Sequence, residues 1–182
     1  TELNLADWGK ANGIEYNSVV SDTNAQTLTN YDAGRCDVLT TDASGLYSMR
    51  AAASDPSEHV VLPEIISKEP LGPVVRQGDD QWFNIVRWSL NAMITAEELG
   101  VTSATVDDVS NNPERERLMG RSGSTHEYVG LTPDWTYQIV KQVGNYSESF
   151  ERNIGINTPI GIARGVNALW TDGGILYSPP FR

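Results

Sequence analysis

AGRCDVLTTDASGLYSMR, residues 33–50, is the stretch whose reading decides the fold. A helix read over 23–33 stops at Gly34, the residue type that most readily takes a left-handed helix end. Val38, Leu39 and Thr40 then read as a short buried strand. Thr41 and Asp42 follow, and a second helix begins near Ser44 and runs to Ala53. Helix, strand, helix is the rhythm of an α/β protein with a parallel sheet. In open α/β sheets, ligands gather just beyond the carboxyl ends of the strands, and Asp42 falls there. Its carboxylate suits an ammonium group. It equally suits the N-cap of the following helix. One residue can hold both roles.

The same rhythm extends outward. Residues 1–12 read as a helix stopped at Gly13, and 15–20 as a strand with Tyr16, Val19 and Val20. After the Asp55-Pro56-Ser57 turn, 60–62 reads as another strand. IISKEPLGPVVR (65–76) carries Pro70 and Pro73; these exclude a helix and point to a crossing or edge strand. A lobe boundary is placed near 66–72. The strongest helical signal runs from Asp79 to Leu99. Trp82, Ile85, Val86, Ser89, Leu90 and Met93 share one face at helical spacing, which predicts their burial. A short helix is expected from Asn112-Pro113, where the NPERER run (112–117) forms a solvated face. Further helices are expected from Thr132-Pro133-Asp134, over 145–153, and over 160–170. The tail YSPPFR cannot be helical.

Composition removes several function classes. The 182 residues hold 24 acidic and 13 basic side chains, a formal net charge of -11. Nucleic-acid binding needs concentrated Lys and Arg, and the basic residues here are scattered. An anionic membrane surface is disfavoured for the same reason. No apolar run approaches the roughly 18 residues of a membrane span, and no signal peptide is seen. The sequence opens at Thr1 without Met, so its start reads as a processed or truncated end. Cys36, the sole cysteine, is either a small buried hydrophobe or half of a disulfide whose partner lies elsewhere. His59 and His126 have no Cys or His at ligand spacing, so no metal site is expected. No nucleophile-elbow motif is present. Gly120-Arg121-Ser122-Gly123 lacks the ending of a Walker loop and reads as a surface loop. No cofactor is implied.

Four stretches together carry a resemblance: AGRCDVLTTDASGLYSMR (33–50), LPEIISKEPLGPVVRQGDDQWFNIVRW (62–88), VGNYSESFERNIG (143–155) and ARGVNALWTDGGILYSPPFR (163–182). They resemble the solute-binding proteins for polar amino acids that serve ABC importers, above all those that accept L-amino acids broadly. The resemblance implies a type II periplasmic binding protein: two α/β lobes that close on a ligand around crossing strands. It assigns 1–66 to the C-terminal part of lobe 2, 67–78 to the hinge and return crossing, and 79–182 to the C-terminal part of lobe 1. Only part of each lobe is then present.

The resemblance also names contacts. Asp42 would hold the ligand's α-amino group, with Thr41 beside it. The α-carboxylate would sit on a Gly-Thr-Thr turn at a helix N-terminus, a natural anion site, of which Thr1 is at most the rim. The lobe 1 arginine that clamps the carboxylate lies outside the chain. Cys36 would pair with an upstream cysteine, as an oxidising periplasm permits. Implied partners are an L-amino acid and the ABC permease of the inner membrane. The protein would be a periplasmic monomer with no catalytic activity, its signal peptide missing from this segment. Hinge closure would bury the ligand's charges, so each needs a fixed counter-group. Two rival readings share the fold. A lytic transglycosylase fused to such a domain would need a catalytic Glu in a separate domain, and none is seen. An amino-acid-sensing input domain of a membrane receptor would be followed or interrupted by membrane spans, whereas YSPPFR reads as a natural end.

Overall fold

Local capping chemistry sets where most helices begin. In the computed structural model, which describes residues 1–68 and 70–182, the first helix, α1, spans Glu2–Asn12. Helix α2 (Asn24–Asp32) is capped by Thr23, whose side chain accepts from Gln26 N–H. Helix α3 (Ala43–Ala52) is capped by Asp42, which accepts from Gly45 N–H. Asp79 caps α4 (Asp80–Glu98) through a 2.9 Å bond from Trp82 N–H. Asn112 caps α5 (Pro113–Leu118), with Pro113 in the first turn, where a missing N–H costs nothing. Helix α6 covers Trp135–Val143. Helix α7 (Tyr146–Asn153) opens with a full capping box between Asn145 and Glu148.

The chain forms two compact units. Unit 1 comprises Thr1–Leu71 and Pro159–Ile162; unit 2 comprises Gly72–Thr158 and Ala163–Arg182. Unit 1 carries α1, α2 and α3. Tyr31 of α2 meets His59 there, hydroxyl to Nδ1 at 3.0 Å, and the half-buried Trp8 lies on α1.

Unit 2 is organised around α4, against which α5, α6 and α7 all pack. Ala92 and Ala96 of α4 have no exposed surface; their small side chains let the neighbours come close. Val101, Val106, Leu118, Met119, Val129, Trp135, Val140 and Phe181 complete this core. Phe181 comes from the tail and is only 3 % exposed. Its ring meets Trp88 edge-on with centroids 5.1 Å apart and lies 6.3 Å from Trp135. Behind it, Thr95 donates to the buried Ser178 hydroxyl at 2.9 Å.

Two polar knots tie this core together. Arg164 reaches both oxygens of Glu97, at 2.9 and 3.1 Å, and also donates to Asn167 O. Its guanidinium lies 5.4 Å and 5.3 Å from the ring centroids of Tyr146 and Phe150 on α7. Glu148 accepts from Ser103 N–H and hydroxyl and from Asn145 N–H. Asn145 in turn donates to Val101 O at 2.9 Å. Gly144 has φ of 91° and a Cβ there would fall 2.8 Å from Glu148 Cβ. Only glycine suits that approach.

Three expectations are corrected. Residues 15–20, 38–40 and 60–62 form no strand; among the described residues the only β pairing is an isolated parallel bridge, Leu169 to Leu176. Val19, Val20, Val38, Val60 and Leu62 stand 50 to 77 % exposed. A strand exists only against a partner, and the described residues supply none. The described part of 65–76 is likewise extended and unpaired, with Val74 94 % exposed; Glu69 lies outside the described residues. Second, the buried face of α4 is shifted toward its C-terminus. Trp82 is half exposed, while Ala92, Ile94, Thr95 and Ala96 are buried, because α5, α6 and α7 set the contact. Third, 160–170 is not an α-helix. Gly161 and Gly165 take φ of 70° and 48°, which breaks helical continuity and leaves a single 3-10 turn at Gly165–Asn167 with another starting at Trp170.

Arg164→Ala should destabilise the chain by about 3 kcal/mol in urea unfolding, because it strands Glu97 at low exposure. An unchanged midpoint would remove this pair from the interactions that hold unit 2. Glu148 gives a pH test. Burial acts to raise its carboxyl pKa, but bonds from Ser103 and Asn145, with Arg152 nearby, outweigh it and the net shift is below the ordinary 4.5. Its contribution is therefore complete above 4.5 and lost as pH falls through the depressed native value. Glu148→Ala should cost about 2 kcal/mol at pH 7 and flatten the acid limb of stability; an acid limb identical to the parent's would refute this role.

Candidate ligand-binding site

Asp42 stands where extended chain turns into helix, so its carboxylate meets the free N–H groups of the first turn of α3. Its Oδ2 accepts from Ser44 Oγ at 2.8 Å and Gly45 N at 3.2 Å. Its Oδ1 accepts from Thr41 Oγ1 at 3.1 Å. Asp42 is half-buried, as is Thr41. The Ser44 hydroxyl is the largest influence on Asp42, and with Thr41 and Gly45 it holds the carboxyl below the ordinary 3.8 against some desolvation. The group is a fixed anion at neutral pH. It can receive a cationic donor.

Gly45 is part of this geometry. A Cβ at that position would fall 2.9 Å from Thr41 Cγ2 and 3.3 Å from Asp42 Oδ2. The absence of a side chain lets Thr41 fold back onto the carboxylate.

Thr41 and Asp42 are thus in direct contact. Thr1 is exposed and caps α1 with its carbonyl alone, which accepts from Leu5 N–H at 3.0 Å. Cys36 is a free thiol of intermediate exposure. An open groove of about 570 Å³ beside α1 is lined by Ala6, Lys10, Ile14, Glu15, Tyr16 and Asn17, and does not include Asp42. No group of His, Cys, Asp and Glu among the described residues is arranged to hold a metal. Sequence reasoning missed Ser44 and Gly45. The signal was present in the spacing: Asp-Ala-Ser-Gly places a hydroxyl two residues, and a bare N–H three residues, beyond a capping carboxylate.

Comparison with known proteins places this geometry in context. No family model matches the chain. The general L-amino acid-binding periplasmic protein AapJ of Rhizobium johnstonii is 57 % identical across the whole chain. The putative amino-acid ABC transporter-binding protein YhdW of Escherichia coli K12 is 51 % identical over the same span. So is the glutamate/glutamine/aspartate/asparagine-binding protein BztA of Rhodobacter capsulatus. The chain spans about half the length of these curated relatives, from 54 to 55 %. Among solved structures, an ABC transporter periplasmic binding protein from Brucella ovis, with glutathione bound, superposes with a TM-score of 0.95 at 50 % identity. That match covers all of this chain and 58 % of the other. Over its entire length, at identity of one half or more, the chain is similar to periplasmic binding proteins of amino-acid ABC transporters.

Proposed function

We propose that the chain serves the periplasmic substrate-binding component of an ABC importer, one that captures L-amino acids broadly and delivers them to a membrane permease. The observation that carries this reading is the 57 % identity across all of the chain with a general L-amino acid-binding periplasmic protein. Such a receptor binds and releases its ligand without covalent chemistry. It works as a monomer in the periplasm, with the permease subunits as its protein partner. The reading as an input domain of a membrane receptor finds no support in the names of the relatives.

In this reading Asp42 holds the ligand's α-ammonium group, with Thr41 beside it. A zwitterion bound out of water needs a fixed counter-charge for each end, and Asp42 is an ionised, oriented carboxylate. Thr1 lies at the rim of the carboxylate site. Cys36 pairs with a cysteine outside the chain. Residues 67–78 act as the hinge between a lobe 2 part (1–66) and a lobe 1 part (79–182).

The glutathione bound to the Brucella relative widens the ligand class. The γ-glutamyl end of glutathione carries a free α-ammonium and α-carboxylate, as glutamate does. The same carboxylate can serve both, so γ-glutamyl peptides join free amino acids as candidate ligands.

The test is calorimetric titration of a chimaera in which this chain replaces the matching segment of the Rhizobium relative. L-glutamine, L-glutamate, glutathione and N-acetyl-L-glutamine form the panel. The first three should bind and the acetylated compound, which lacks an ammonium, should not. Asp42→Asn keeps a good helix cap but removes the charge; it should weaken L-glutamine by about 100-fold at nearly unchanged thermal stability. Asp42→Ala should lose the binding and also about 1 kcal/mol of stability. Full affinity in Asp42→Asn would reduce the residue to a cap, and a chimaera that binds nothing on the panel would remove the ligand class.

A further inference from the structure

We infer that Ser44 is a positioning residue for the ammonium site: it ties down one oxygen of Asp42 so that the other faces the ligand. This rests on the reading of Asp42 as the ammonium's counter-group. An ionised carboxylate offers about four acceptor positions, two on each oxygen. Both positions of Oδ2 are filled, by Ser44 Oγ at 2.8 Å and Gly45 N at 3.2 Å. Among the described residues Oδ1 takes one side-chain hydrogen bond, from Thr41 Oγ1 at 3.1 Å, while the Asp42 backbone N–H is a lesser influence on the carboxylate. The Thr41 hydroxyl spends its only proton on that same oxygen, which leaves its lone pairs for an incoming donor. Oδ1 and Thr41 Oγ1 therefore form a pair of adjacent acceptors. An ammonium carries three donors and no acceptor, so the pair is complementary to it. Without Ser44, Oδ2 keeps only the longer bond from Gly45 N–H, and the carboxylate, whose terminal torsion is broad and soft, is held less firmly with Oδ1 outward.

The electrostatics agree. Ser44 is the largest of the influences that keep Asp42 ionised, and the others are desolvation and further hydrogen bonds; no charged side chain is among them. Removing the hydroxyl raises the carboxyl pKa, and the pH below which binding is lost rises with it.

The experiment measures L-glutamine affinity of the chimaera from pH 3.5 to 8 in roughly half-unit steps, for the parent, Ser44→Ala, Ser44→Thr and Asp42→Asn. Ser44→Ala should weaken binding by about threefold to tenfold at pH 7, the worth of one hydrogen bond, and move the acid limb upward. Ser44→Thr, which keeps the hydroxyl, should restore both. Thermal unfolding of the ligand-free variants runs alongside. If Ser44→Ala lowers Tm but leaves affinity and acid limb unchanged, or if Ser44→Thr fails to restore them, Ser44 supports the helix alone and the inference is overturned. If Asp42→Asn binds normally, the ammonium reading itself fails, and this inference with it. Loss in Asp42→Asn beside a silent Ser44→Ala separates the two.

Discussion

How closely other elements can approach α4 governs unit 2. Ala92 and Ala96 present almost nothing beyond backbone on the contact face, so three helices and the tail all reach it. Larger residues there would force the neighbours outward and open gaps that a close-packed interior does not tolerate. The polar knots follow from that proximity. Arg164 can bridge Glu97 on α4 and the rings of α7 because α7 lies against α4. Glu148 can gather the 103 turn because Asn145 is already anchored on Val101. Dispersion and hydrophobic burial bring the pieces together, and the hydrogen-bonded ions then fix their register.

Features that depend on a few neighbouring residues were legible in the sequence. Asn112-Pro113, Asp79 and Asn145 with Glu148 three positions later all start helices as their chemistry requires. Features that depend on distant partners were not. Val38 and Val60 have strand-forming side chains, yet a ladder is a property of two strands, and neither finds a partner among the described residues. The periodicity of α4 showed that it had an apolar face, but the packing helices chose which part of it to cover. Residues 160–170 carry apolar residues at plausible helical spacing, and two glycines with positive φ overrode it. In the candidate site, Asp42 was visible from its place after a presumed strand. Its partners Ser44 and Gly45 were hidden in what reads as an ordinary helix start.

Asp42 shows how a helix cap can also hold a carboxylate in a defined orientation. The cap fixes the carboxylate in a single orientation through local bonds, and those bonds do not use up its acceptors. Pre-organisation of this kind lowers the ordering cost for any donor that such a carboxylate accepts, because the group is already immobilised.

The five tryptophans are unevenly divided. Trp82, Trp88, Trp135 and Trp170 belong to unit 2, whereas Trp8 alone belongs to unit 1, with Asp42. Intrinsic fluorescence excited through indole is therefore dominated by unit 2. Trp135, 6 % exposed in the core, emits toward the blue and shifts red when that core opens. Trp82 and Trp170, each 51 % exposed, add a background that solvent quenchers such as iodide suppress. The molecule thus carries an optical reporter of melting in unit 2, and a single tryptophan, Trp8, in the unit that holds the Asp42 carboxylate.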